Sequence, residues 1–132
     1  MKKTVCILHI LFLAGCNLGE LDRNTGLEES LFSVVENENN SEITVKPLAD
    51  FKWDKAFLFE PYTPQDQIGE QLGVDFEDPS NISSRDDIYL LVFLNDKKVV
   101  QYAEVKRQKS GFSIGGKDYL TPSDDLIKIE RY

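Results

Sequence analysis

Apolar and polar positions divide the chain into one opening apolar run and a series of short periodic segments. The run spans Val5 to Ala14, interrupted only by His9, with Lys2 and Lys3 ahead of it and polar chain from Asn17 to Asn24 behind it. Its length is about half the ~20 residues that a membrane-spanning helix needs. Two cations, a short apolar stretch and no stop-transfer pattern make this the n-region and h-region of a secretory signal.

Beyond it, Asn17 to Gly26 is polar, carries two glycines and reads as a tether. Leu27, Leu31 and Val34/Val35 have helical spacing and predict a short helix. Asn37 to Ser41 is a loop, and Ile43-Thr44-Val45 a strand stopped by Pro47. Phe57-Leu58-Phe59 is the clearest part of a second strand, ended by Pro61. Thr63 is placed to cap a helix with Pro64 in its first position and Gly73 just past its end; Ile68 and Leu72 share one face. After a polar loop, the continuous run Ile88 to Leu94 predicts the central strand. The turn Asn95 to Lys98 leads into Val99–Lys106, with Val99, Gln101, Ala103 and Val105 on one face. Gly111 to Ile114 and Leu126 to Tyr132 complete the set, the last as an edge strand. Strands dominate and one helix is well delimited. The expected fold class is therefore α+β: a small twisted antiparallel sheet with one helix packed on one face, after a cleaved signal peptide.

The segment Leu13-Ala14-Gly15-Cys16 ends the apolar run and resembles the lipobox of bacterial lipoproteins. In that family the cysteine thiol receives diacylglycerol and a peptidase cuts just before it. The resemblance implies residues 1–15 as signal peptide, 16–26 as a lipidated tether and 27–132 as a single domain. It also implies a location on the cell membrane or outer membrane, outside the cytoplasm, with the membrane as partner through lipid on Cys16. Two acyl chains suffice for stable anchoring at about 0.8 kcal/mol per buried CH₂. Asn17 replaces the aspartate that retains such proteins at the inner membrane of double-membrane bacteria. From Phe51 onward the chain also resembles a group of small uncharacterised bacterial lipoproteins. That likeness is carried by Phe51-Lys52-Trp53-Asp54-Lys55, Phe59, Pro61-Tyr62-Thr63, Ile68, Leu72-Gly73, Val92-Phe93 and Val99-Val100. It departs at Glu60, where a small residue such as glycine is expected, and it brings no activity with it.

Cleavage before Cys16 changes the available chemistry. It leaves 117 of the 132 residues and removes Cys6, His9 and Met1, the only other thiol, the only histidine and the only methionine. A mature chain of this kind has no Ser-His-Asp triad, no His-ligated zinc, no histidine base and no disulfide. No cofactor or metal is expected. Loss of Lys2 and Lys3 takes the net charge from −8 to −10, spread along the chain with no basic stripe. Nucleic acid is excluded as a partner on that ground.

Three candidate sites remain. Trp53-Asp54-Lys55 with Pro61-Tyr62-Thr63 reads either as a binding surface on Trp53 and Tyr62 or as a fastening of the Pro64–Leu72 helix to the sheet. The pairs Asp86-Asp87 and Asp124-Asp125 lack the spacing of a glycosidase pair or a calcium loop and read as turn residues or caps. Gly111 to Lys117 lacks the Gly-Lys-Ser/Thr ending of a phosphate loop and reads as a tight hairpin turn with Phe112 in the core. The leading expectation is a non-enzymatic, membrane-anchored module that contacts an envelope protein or glycan. The alternatives are a small envelope enzyme working with carboxylates alone and an inhibitor or immunity-type protein whose acidic surface masks a basic partner.

Overall fold

The computed structural model describes residues 22–132; Cys16, its lipobox and the first part of the expected tether lie outside them. The fold is α+β, with two α-helices and two sheets among the described residues. The elements are β1 (Asp22–Arg23), α1 (Thr25–Glu36), β2 (Glu42–Thr44), β3 (Lys55–Phe59), α2 (Gln65–Leu72), β4 (Ile88–Asn95), β5 (Lys98–Lys106), β6 (Ser110–Ser113) and β7 (Leu126–Arg131). A four-stranded sheet has the order β1-β5-β4-β3, antiparallel except for the parallel β1–β5 pair. A three-stranded antiparallel sheet has the order β2-β7-β6.

Strand β4 explains the layering. Its side chains alternate between two hydrophobic cores. Tyr89, Leu91 and Phe93 join a core with Leu27, Leu31 and Val35 of α1 and with Ile43, Phe112, Ile127 and Ile129 of the three-stranded sheet. Leu90, Val92 and Leu94 join another with Ile68 and Leu72 of α2, Phe76 and Ile82. A strand covered on both faces has no polar positions to alternate with, hence the unbroken apolar run. One packed helix on one face was expected; the structure packs the short helix anticipated at Leu27–Val35, α1, on the opposite face together with a second sheet.

Three local differences have physical causes. First, Asp22 and Arg23 are part of the fold, although they lie within the stretch read as tether. Asp22 and Arg23 pair with Gln101 and Tyr102. Asn24 then caps α1, its Oδ1 accepting from the Leu27 N–H at 2.8 Å while its Nδ2 donates to Gln101 at 2.6 Å. Second, the register shifts between Phe93 and Leu94, so that Leu94 faces Val99 while Phe93 faces Gln101. This bulge inserts one residue into β5 and reverses the alternation beyond it. Val99 thus packs on the α2 side with Tyr102, and Val100 takes the side of Ala103 and Val105. Third, β7 is the middle of its sheet and not an edge, because β2 returns from far back in the chain to flank it. Arg131 locks that arrangement by donating to the carbonyls of Val35, Asn37 and Asn40 at the end of α1.

Helix α2 ends as its glycine implies. Gly73 has φ 73° and donates its N–H to Gly69 at 2.9 Å. Its start differs. Thr63 does not cap; its hydroxyl donates to the Glu60 carbonyl at 2.6 Å and closes the preceding turn, leaving Pro64 as the residue before the first helical turn. The β4–β5 hairpin turns on Asp96 and Lys97, both with positive φ, the pairing of dihedrals that matches strand twist. No helix among the described residues is long and apolar enough to cross a membrane.

Candidate functional site

The aromatic pair singled out from the sequence is split by the fold. Trp53 is buried, on the α1 side of the four-stranded sheet, with its ring 5.3 Å from Phe93 in an edge-on contact. It therefore neither presents a surface nor fastens α2, which lies across the sheet. Tyr62 is 59% exposed and holds φ 66°, a left-handed conformation that costs a non-glycine residue energy. The Ile82 and Arg85 carbonyls keep it there by sharing its N–H at 2.9 and 3.2 Å. The turn therefore places its left-handed residue at Tyr62, and Glu60 needs no glycine-like freedom.

Three of the four acids in the two pairs are engaged by neighbouring groups. Asp87 receives two hydrogen bonds from the Arg85 guanidinium, which hold its carboxyl below the usual range. Asp124 pairs with Lys117 at 2.8 Å, and Asp125 accepts from the Lys46 N–H at 2.6 Å. The Gly111–Lys117 stretch seats Phe112 in the core, as expected. It runs from β6 into a long connection to β7 instead of a tight hairpin, with Gly115 in the left-handed region. Among the described residues no group of three or more His, Cys, Asp or Glu is arranged to hold a metal.

Two other features stand out, at opposite edges of the four-stranded sheet. At the β1 edge, five charged side chains interlock. Arg23 binds Glu28 at 2.8 Å and lies 3.3 Å from Glu104; Arg85 binds Glu104 at 3.2 Å and Asp87 at 2.8 Å. Glu28 also accepts from the Glu104 N–H at 2.9 Å, which stitches α1 to β5. Both guanidiniums are held charged, chiefly by these hydrogen bonds.

At the β3 edge lies a cleft of about 720 Å³, within the ~300–1,000 Å³ range of ligand sites. Strand β3 forms its floor. Gln67 and Gln71 of α2 flank one side, and Phe112, Ser113 and Ile114 the other. Lys117, Asp118 and Tyr119 stand at one end. Lys55 places its Nζ 4.7 Å from the Tyr119 ring centre, and Phe57 packs against the same ring at 5.5 Å. Glu60, Asp118 and Glu130 supply exposed carboxylates. The cleft thus sits where the free edges of both sheets, β3 and β6, come together. Of its lining, the candidate stretches read from the sequence contribute only Lys55, Thr63 and residues between Phe112 and Lys117. The cleft unites five separate segments, and no local spacing signals that. Against known proteins, the chain matches no family model, no curated protein and no solved structure.

Proposed function

We propose that this protein is a lipid-anchored module of the bacterial cell envelope that binds a partner without chemistry of its own, and that the β3 cleft is where it does so. The cleft carries the reading: it is a preformed groove of ligand size that joins polar, aromatic and backbone groups. The anchor rests on the signal and the Leu13-Ala14-Gly15-Cys16 box. The two fit together spatially. Only six residue steps separate Cys16 from Asp22, a reach of at most about 20 Å. A lipid on Cys16 therefore keeps the β1 edge near the bilayer, while β3 lies three strand spacings away, about 14 Å. The net charge of −10 disfavours lying flat on anionic head groups. Mass spectrometry and membrane flotation of Cys16→Ala test the anchor: loss of the acyl mass and release from membranes are expected. A variant that stays membrane-bound and shows no change in mass beyond the substitution refutes it.

A second reading, an enzyme working with carboxylates alone, draws on Glu60, Asp118 and Glu130 around the same cleft. It expects turnover that disappears in Glu60→Gln or Glu130→Gln, whereas a binding module tolerates these neutral isosteres with altered affinity only.

A further inference from the structure

The β3 edge is half closed. Ala56 donates to the Leu120 carbonyl at 2.9 Å and accepts from the Leu120 N–H at 2.7 Å, so its backbone groups point away from β4. Alternation along a strand gives Leu58 the same orientation. Leu58 has no such partner among the described residues, and its N–H and C=O face the cleft. Leu120 thus stands as a one-residue stub of a fifth strand, and the position that would continue it past Leu58 is open. An unpaired edge of this kind is complementary to one thing above all, another extended backbone.

The charges around the opening narrow the choice. Lys117 is paired with Asp124 at 2.8 Å, which leaves Lys55, over the Tyr119 ring, as the one cation of the lining set against three carboxylates. Glu60, Asp118 and Glu130 make no ion pair among the described residues. The field at the opening is therefore negative, on a chain that is acidic throughout. A second copy of this chain would bring like charge to the same edge.

We infer that the β3 cleft takes an extended, basic peptide segment of a partner protein, added as a strand beside Leu58 with its cations toward Glu60, Asp118 and Glu130. This rests on the binding-module reading and names its partner class. Backbone pairing would supply affinity, and the carboxylates specificity.

The test uses the full protein purified from membranes in detergent, with its acyl mass measured in the same sample so that a failed anchor is seen separately. Fluorescence anisotropy follows a labelled eight-residue peptide of alternating Lys and Val. Saturable binding is expected, weakened at least tenfold by N-methylation of alternate peptide amides and about tenfold by Glu60→Lys/Glu130→Lys, whose sites are exposed and leave the fold intact. Equal binding of the methylated peptide overturns strand addition. Equal binding of a Glu-Val peptide overturns the basic preference. Absence of binding by every peptide overturns the proposal, as does a dimer by sedimentation that Leu58→Pro dissolves. If the Glu60→Gln/Glu130→Gln variant abolishes a turnover instead, the binding-module reading itself falls.

Discussion

Strand β1 finishes one edge of the four-stranded sheet with two polar residues, whereas β3 leaves the other edge open beside Leu58. Each edge lies on one strand of the β4–β5 hairpin, so the difference lies in what covers them. At β1 the cover is electrostatic: Arg23 and Arg85 draw Glu28, Glu104 and Asp87 into one network over the strand ends. At β3 the cover is a single bridge at Ala56, after which the chain turns away at Pro61. Edges are usually blunted because they invite pairing. Blunting one edge and sparing the other, above a ligand-sized cleft, is what a site for strand addition requires.

Four experiments sharpen or break this contrast, from the largest effect to the smallest. Trp53→Ala removes a buried ring from the core beneath the β3 edge and should cost about 3–5 kcal/mol in urea denaturation. A neutral result would mean that Trp53 is not packed on Phe93. Proline scanning then compares the closed and open parts of one edge. Ala56→Pro breaks the bond to Leu120 in a fully buried position and should cost roughly 3 kcal/mol or more. Leu58→Pro removes an unpaired N–H and should cost about 1 kcal/mol, since edge strands accept proline where the N–H faces outward. Equal costs would show that Leu58 is paired.

At the other edge, Glu104→Ala strips both arginines of a shared partner. With those arginines partly exposed, a loss of roughly 1–2 kcal/mol is expected, measured by the same denaturation. A loss near zero would reduce the network to surface decoration. The smallest effect is a pH dependence. The Asp87 carboxyl is held below its ordinary value by Arg85, so its contribution is present above about pH 4, the unfolded value. It fades as pH falls through the lower folded value. Because Asp87 is largely exposed, the acid limb of the stability curve should flatten in Asp87→Asn by only a few tenths of a kcal/mol.

Much of the fold was legible because it is written locally. Gly73 stops α2 through its own backbone freedom, and the run Ile88–Leu94 declares a strand buried on both faces. The Asn95–Lys98 turn is likewise short and self-contained. Other features depend on distant partners. Strand β1 has no strand-like residues; β5 lends it pairing from about 80 positions away. The bulge at Val99 and Val100 shows only in the register against β4. Trp53 and Tyr62 lie close in sequence yet part at the sheet, one buried beside Phe93 and the other exposed in a strained turn. The cleft was invisible for the same reason, since its polar groups include backbone atoms of Leu58, which any residue would carry.

By itself, then, the sequence determined the α+β class, most strand and helix bounds, and the N-terminal pattern that resembles a lipoprotein signal. It did so through periodicity, turn chemistry and residue identity, which act over a few positions. Only the tertiary structure decided which edge is sealed and which is open, because an unpaired backbone group is defined by the absence of a neighbour in space. Residue order does not encode that absence; the packing of β3 against β4, α2 and β6 does.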